Sequence, residues 1–229
     1  MKIVLKNDSD LILDRDGKDI KLYDSIDSLA NGHDYVEIGG IKWATMNVGA
    51  TGVTDDGLYF AWGEVDGYIA SQVGTDKQFS WADYKFNPSH DGSTFTKYKP
   101  TDAYRTLVPC DDPVTTNWGG NWRLPTKEEF VSLSGAVITE WVEDYQGSGV
   151  NGLLLTDKSD STKQLFFPAA GYGYDGSMYD VESHGLYWSS SLNEDYPANA
   201  CSFLFDSEDV NWEYDESRRA GFPVRGVLD

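Results

Sequence analysis

One stretch decides the fold, and it reads Asn117-Trp118-Gly119-Gly120-Asn121-Trp122-Arg123-Leu124-Pro125-Thr126-Lys127-Glu128-Glu129-Phe130. It ends one short helix and begins another. Asp112 followed by Pro113 is typical of an N-cap and a first helical residue, and Gly119-Gly120 supplies the stop. Thr126 and Glu129 have capping-box spacing, in which each side chain accepts a hydrogen bond from the other residue's backbone N–H. The stretch therefore predicts two consecutive helices.

The apolar residues around this stretch indicate what the helices pack against. Phe130 and Leu133 lie on one face of the second helix, which we expect to end at Gly135. Trp118 and Trp122 are too large to be left exposed as a pair. We therefore expect both tryptophans to anchor the helices on a sheet.

The same stretch resembles a family signature. Its tryptophan–glycine turn, Arg-Leu-Pro-Thr and glutamate–phenylalanine helix are similar to the formylglycine-generating (sulfatase-modifying) branch of the C-type-lectin-like fold. It resembles still more that branch's non-enzymatic relatives, the Fibrobacter succinogenes major paralogous domain family. Further phrases similar to that family occur in order along the chain, namely Ile38-Gly39-Gly40-Ile41-Lys42-Trp43, Met46-Asn47-Val48-Gly49, Leu58-Tyr59-Phe60-Ala61-Trp62-Gly63-Glu64, Phe167-Pro168-Ala169-Ala170-Gly171 and Arg218-Arg219-Ala220-Gly221-Phe222-Pro223-Val224-Arg225.

The resemblance covers about residues 35–229. It implies an α+β, C-type-lectin-like (formylglycine-generating-enzyme-like) domain, with two short helices on small antiparallel sheets and long loops. In that fold the last strand returns beside the first. Strand and helix signals by themselves indicate only an α+β class with short strands and two helices.

Short apolar runs predict the strands of this domain. Residues 35–46 read as a hairpin that turns at Gly39-Gly40. Further strands are expected at residues 152–156, 164–168, 186–191, 200–205 and 221–227, with a hairpin tip at 157–161. Residues 65–110 are polar and irregular, so they predict a long loop pinned by its aromatic side chains, which are Trp81, Tyr84, Phe86, Phe95, Tyr98 and Tyr104.

Residues 1–34 read as a short N-terminal extension for attachment or oligomerisation. Residues 2–5 and 11–13 are strand candidates. Residues 14–17 look briefly like a calcium loop, but EF-hand spacing would place Ile12 and Tyr23 at ligand positions, so a turn is expected instead. The segment is too small to bury a core of its own. It is expected to pack on the main domain or on a second copy, which leaves a homo-oligomer open.

The composition excludes one class of partner and leaves others open. The chain of 229 residues carries a net charge of −20 and has no cluster of Lys and Arg, so nucleic acid is not an expected partner. The acidity fits solubility, or else binding of divalent cations. No apolar run approaches the ~18 residues of a membrane span, so no membrane insertion is expected.

The first residues show no signal segment, because the apolar run ends at Leu5. As written, the chain suits a virion-associated or cytoplasmic protein, and a cell-surface protein if a leader was removed. The sequence therefore leaves the cellular compartment of the protein open.

Cysteine and histidine placement argues against catalysis. Formylglycine-generating enzymes use two nearby cysteines close to the C-terminus, which bind copper, but here Cys201 stands alone in that region and Cys110 precedes the helices. A buried core cysteine is the expected state of Cys201. The three histidines, His33, His90 and His184, lie in loop-like contexts and define no hydrolytic site. We therefore predict a protein that is not an enzyme and has no cofactor.

Calcium is the one metal ion whose binding the sequence leaves open. The glutamate-proline-asparagine and tryptophan-asparagine-aspartate motifs of calcium-dependent lectins are absent; the chain has Asn87-Pro88-Ser89 and Val210-Asn211-Trp212 instead. Carboxylate-rich tips at Asp55-Asp56, at residues 206–209 and at Asp215-Glu216 could still hold a structural calcium ion.

Residues 191–219 read as a recognition surface. Tyr and Trp give rigid contact area, and Asn and Ser give adaptable hydrogen bonds. We expect loops at residues 193–199 and 211–217 in which Tyr196, Trp212 and Tyr214 are exposed. The alternative is a set of ordinary polar loop residues. The candidate ligand-binding residues are Asn193, Asp195, Tyr196, Asn199, Asn211, Trp212, Tyr214, Asp215 and Ser217.

The position of this surface also resembles the variable region of retroelement-diversified proteins, which are C-type-lectin-like. The resemblance implies a non-catalytic protein that binds a protein or glycan on a cell surface, such as a diversified phage receptor-binding protein. The alternatives are a secreted or surface adhesin or lipoprotein domain and, less in keeping with the cysteines, a relative of the oxidase.

Overall fold

The computed structural model describes residues 2–5, 11–15, 18–21 and 29–229, with side chains from residue 31 onward. Over these residues the chain is mixed α+β, with two short helices and six small sheets whose strands pair antiparallel. The helices are α1 (Pro113–Trp118) and α2 (Lys127–Ala136). No helix of the described part is both long and apolar enough to cross a membrane.

The strands, in chain order, are β1 (Lys2–Leu5), β2 (Leu11–Arg15), β3 (Lys18–Lys21), β4 (Leu29–Ala30), β5 (His33–Ile38), β6 (Ile41–Asn47), β7 (Tyr59–Phe60), β8 (Trp122–Arg123), β9 (Val137–Val142), β10 (Gly152–Asp157), β11 (Gln164–Pro168), β12 (Tyr172–Tyr174), β13 (Ser177–Tyr179), β14 (Gly185–Leu192), β15 (Asn199–Phe205), β16 (Val210–Ser217), β17 (Phe222–Pro223) and β18 (Arg225–Leu228).

Both helices begin as predicted. Asp112 caps α1, because its Oδ1 accepts hydrogen bonds from the N–H groups of Val114 at 2.8 Å and Thr115 at 3.1 Å. Thr126 and Glu129 form the capping box of α2, with the Thr126 N–H donating to Glu129 Oε2 at 2.8 Å. Helix α2 ends at Ala136, one residue beyond the predicted stop.

The largest sheet has the order β4-β5-β6-β18-β8. Strands β5 and β6 form the predicted hairpin, and Gly39 and Gly40 turn it with positive φ angles of 62° and 80°. Strand β18 then pairs with β6, so the last strand lies beside the first hairpin of residues 35–229. The predicted strand at 221–227 is divided at Val224, and its first part, β17, pairs with β7 instead.

Both tryptophans of the deciding stretch pack where the helices meet this sheet. Trp122 is 1% exposed, and its ring lies edge-on to Trp118 with centroids 5.2 Å apart. Trp118 is only half-buried, and it stacks on His33 at 4.0 Å. Gly226 lies beneath both rings, since an added Cβ would come within 2.8 Å of Trp118. The tryptophans therefore anchor α1 on β18, although Trp122 is the more deeply buried.

A second sheet, in the order β11-β10-β9, contains the two strands predicted at residues 152–156 and 164–168. Strand β9 was not predicted. It follows α2 directly, since Ala136 ends the helix and Val137 begins the strand. The hairpin tip between β10 and β11 lies where the sequence indicates.

Sheet β14-β15-β16 packs against α2 and carries the candidate site. The ring of Phe203 in β15 stacks on Phe130 of α2 with centroids 5.3 Å apart. A bulge interrupts the β15–β16 register, because Ser202 pairs with Tyr214 while Leu204 pairs with Asn211. Phe203 thus lies opposite two residues of β16, and the side chains before and after the bulge change faces.

Residues 65–108 form the predicted long segment, and within it the only helical element is the short 3-10 turn Ala70–Gln72. Tyr84, Phe86 and Tyr98 are buried, and Trp81 and Phe95 pack partly against the same core. Tyr104 is different, since 49% of it is exposed. The prediction of a loop pinned by aromatic side chains is therefore confirmed for five of the six residues.

The N-terminal extension contains the two predicted strands and a third, β3, in a sheet of order β1-β2-β3. A turn was predicted at residues 14–17. Asp14 and Arg15 belong to β2 instead, and residues 16 and 17 lie outside the described residues. The way in which the extension packs also lies outside the described residues.

Candidate functional site

The loop between β14 and β15 is closed by its own hydrogen bonds. Asn193 Oδ1 accepts from the N–H groups of Asp195 and Tyr196, both at 3.0 Å. The Asn199 N–H donates to the Tyr196 carbonyl at 2.7 Å. These bonds hold the loop in one shape and present Tyr196, which is 69% exposed. The predicted loop at 193–199 is therefore present, with Asn199 already in β15.

The second predicted loop is wrong, because residues 211–217 belong to strand β16. The strand pairs with β15 from Phe205↔Val210 to Asn199↔Ser217, so the backbone groups that face β15 are used in the sheet. Asn211 Oδ1 accepts from the Glu213 N–H at 3.0 Å, which supports the bulge. The true connection between β15 and β16 is the short tip at residues 206–209.

The prediction of three exposed aromatics on one surface is also wrong. Trp212 is half-buried, and its ring stacks on Phe203 with centroids 4.4 Å apart. Tyr214 is half-buried on the other face of the sheet, where it packs with Leu204. The bulge accounts for this separation, because it breaks the alternation that would place Trp212 and Tyr214 on one face.

Part of the predicted residue set does converge on a polar cleft of about 330 Å³. The cleft lies between the 193–198 loop, the start of α2 and the end of β16. Asn193, Asp195 and Asp215 line it, and Asn199 reaches it through its amide, which donates to Asp215 Oδ2 at 2.8 Å. Ser217 pairs with Asn199 at the same end of the sheet. The cleft is not lined by Tyr196, Asn211, Trp212 or Tyr214.

The cleft also contains charged residues that the sequence did not indicate. These are Arg105, Lys127, Glu128, Glu194 and Glu213. Arg105 comes from the long segment, whose Thr106 forms an isolated bridge with Ser191 of β14. No local pattern signals this long-range contact. Lys127 is placed by the helix start, where its N–H donates to Ser191 Oγ at 3.0 Å.

Both basic side chains of the cleft form ion pairs with glutamates. Arg105 Nε lies 2.8 Å from Glu194 Oε2, and Lys127 Nζ lies 3.2 Å from Glu213 Oε1. The hydrogen bond to Glu213 raises the pKa of Lys127, which therefore stays charged. Five acidic side chains line the cleft against two basic ones, so acceptors outnumber cationic donors. A ligand rich in hydrogen-bond donors fits this wall.

Cys201 lies in the floor of the cleft, and its chemistry is that of a buried thiol. It is free, and its Sγ lies 3.7 Å from the Leu192 carbonyl oxygen. Burial raises the pKa of Cys201 to about 11. The thiol is therefore protonated near neutral pH, whereas nucleophilic and copper-binding cysteines act as thiolates. Cys110 is also free and is exposed.

Two of the carboxylates considered for calcium, Asp55 and Asp206, accept hydrogen bonds within turns, whereas Asp215 and Glu216 lie in β16. Asp55 accepts hydrogen bonds from Thr51 and from the Gly57 N–H, at 2.9 and 3.0 Å. Asp206 Oδ1 accepts from the N–H groups of Glu208 and Asp209 at 2.7 and 2.9 Å. Among the residues that the structure describes, no group of three or more His, Cys, Asp or Glu is arranged to hold a metal ion. A structural calcium ion stays a prediction.

The described histidines do not converge on a site. His33 stacks on Trp118, and burial lowers its pKa. His184 Nε2 lies 3.6 Å from Asp206 Oδ2, and His90 is exposed in the long segment.

No protein-family model, curated protein or solved structure matches the chain.

Proposed function

We propose that this chain is a non-catalytic binding protein of the C-type-lectin-like class that recognises a cell-surface macromolecule or glycan. The polar cleft takes a hydroxyl-rich part of that ligand. The observation that carries the proposal is the convergence of Asn193, Asp195 and Asp215 with Arg105 and Lys127 around one cavity of about 330 Å³. Such a volume lies at the lower end of the range for small-ligand pockets.

The chemistry of the wall supports a glycan as the ligand. A sugar hydroxyl both donates and accepts a hydrogen bond, and the cleft offers carboxylate acceptors beside guanidinium and ammonium donors. Hydrogen bonds to charged groups are stronger than those between neutral groups. Tyr196, exposed on the loop that forms the rim, adds an aromatic surface on which an apolar sugar face can lie.

The test is binding to a glycan array and to a panel of cells. In the double variant Asp195→Asn and Glu213→Gln, two exposed acceptors lose their charge without a change in shape. We expect binding to weaken by at least about 10-fold, the range for hot-spot residues. The matched control changes two exposed carboxylates away from the cleft, Glu140→Gln on β9 and Glu143→Gln just after that strand, and should bind as the parent does.

Treatment of the cells separates the two kinds of ligand. Periodate, which cleaves sugar diols, should abolish binding, while mild proteolysis should leave part of it. Binding that survives periodate but not proteolysis would identify a protein ligand instead. The proposal is wrong if the parent binds no glycan and no cell, or if the double variant binds as the parent does.

A further inference from the structure

A second cavity lies on the opposite face of the β14-β15-β16 sheet from the polar cleft. Its volume is about 210 Å³, and its lining residues are Tyr172, Asp180, His184, Leu186, Leu204, Tyr214 and Glu216. Side chains alternate across a strand, so Tyr214 and Glu216 share this face while Glu213 and Asp215 line the polar cleft. The two cavities are therefore separate sites.

Two tyrosine rings form the aromatic part of the wall. Tyr172 is held in place by Tyr179, which stacks on it with centroids 5.5 Å apart, and by Phe222, whose ring lies nearly perpendicular to it with centroids 6.1 Å apart. The Tyr214 hydroxyl donates a hydrogen bond to Glu216 Oε2 at 3.4 Å. Burial raises the pKa of both tyrosines, so both stay neutral. The face of a neutral aromatic ring carries negative electrostatic potential.

The charged part of the wall is acidic. Asp180 and Glu216 contribute two carboxylates, and both lie near enough to Tyr172 to affect its titration. The Ser217 N–H donates to Glu216 Oε1 at 2.7 Å and fixes that carboxylate. No Lys or Arg is among the lining residues, and neither carboxylate forms an ion pair with another described residue. His184 is directed at Asp206, 3.6 Å away.

We propose that this cavity binds an organic ammonium group, either of a small amine or of a lysine side chain. Aromatic faces and carboxylates both attract a cation, and the Leu186 and Leu204 side chains supply apolar contact for its methyl or methylene groups. An anion would be repelled by Asp180 and Glu216. A neutral apolar ligand would remove these carboxylates from water without a partner.

The size of the cavity agrees with such a group. Its volume of about 210 Å³ is below the range for drug-sized ligands, so it suits one head group rather than a peptide segment. The proposal goes beyond the glycan-binding function and does not depend on it, since it concerns other residues on another face.

The first experiment is titration calorimetry with two cations and their neutral counterparts. Choline is compared with 3,3-dimethylbutan-1-ol, and Nα-acetyl-lysine methylamide with Nα-acetylnorleucine methylamide. At least one cation should bind saturably and at least about 5-fold more tightly than its counterpart. Choline binding indicates a small quaternary amine, and lysine binding indicates a protein side chain. If neither cation saturates by about 50 mM, or if the neutral compounds bind equally well, the proposal fails.

Variants of the full chain then locate the site. Glu216→Gln removes one charge without changing the shape of the side chain, and Tyr214→Leu removes one ring. Each variant should bind the cation about 5- to 30-fold more weakly than the parent does. Tyr214→Phe keeps the ring and should bind within about 3-fold of the parent. Glu140→Gln, an exposed change on β9, is the matched control. Melting curves confirm that each variant is folded, and a folded Glu216→Gln that binds as the parent does contradicts the proposal.

Discussion

Asp112 caps α1 and also accepts a hydrogen bond from the backbone at Leu124, so its removal should cost more than the loss of an ordinary helix cap. The side chain is only 3% exposed. Oδ1 caps α1 through Val114 and Thr115, while Oδ2 accepts from the Leu124 N–H at 2.8 Å, beyond the helix. In Asp112→Ala, loss of the cap costs about 0.5–2 kcal/mol. The Leu124 N–H then lies buried without a partner, which adds about 1–3 kcal/mol.

The two contributions together predict a loss of about 1.5–5 kcal/mol in the free energy of unfolding. For a chain of this size that corresponds to a melting temperature lower by roughly 3–20 °C, measured by calorimetry or circular dichroism. Asp112→Asn should fall between parent and alanine variant, because an amide retains the cap but directs one donor at Leu124. Asp66→Ala, an exposed change, should shift stability by no more than about 0.5 kcal/mol. An alanine variant that loses under about 1 kcal/mol would refute the reasoning.

Two further predictions concern buried side chains. Trp122→Ala should cost about 3–5 kcal/mol in unfolding experiments, and Trp118→Ala clearly less, because Trp118 is half-buried; equal losses would contradict this order. Burial raises the pKa of Asp56 to about 6, so the folded state binds this proton more tightly than the unfolded state does. The stabilisation that this bound proton gives the folded state is therefore lost as pH rises. Relative to the parent, the free energy of unfolding of Asp56→Asn should increase by up to about 3 kcal/mol between about pH 4 and pH 7. A difference between the two proteins that is independent of pH would falsify the assignment.

The helices and most of the strands are predictable because their signals are local. Asp112 and the Thr126–Glu129 pair satisfy backbone groups within one turn, and that requirement does not depend on the rest of the fold. The glycine turn of the first hairpin is equally local. Gly135 marks the end of α2, but β9 begins directly after Ala136 with no turn between them, so the strand was missed although Val137–Val142 is rich in β-branched and aromatic residues.

The candidate site was predicted only in part, and the reason lies in β16. Val210, Trp212 and Tyr214 alternate with polar residues, which is a strand pattern, but the number of polar residues favoured a loop interpretation. The alternation alone would have placed Trp212 and Tyr214 on one face. The bulge that separates them depends on the register with β15, and Arg105 reaches the cleft through an equally distant contact.

The place of β18 between β6 and β8 affects how the protein is made. Arg225 lies 178 residues after its β6 neighbour Asn47, so a ribosome adding about 5–20 residues per second needs roughly 10–35 seconds to deliver the strand between them. During that interval the facing edges of β6 and β8 have no partner, and unpaired edges are templates for aggregation. Synthesis that halts just before residue 225 therefore leaves the largest sheet in two separate parts, which are a substrate for chaperones.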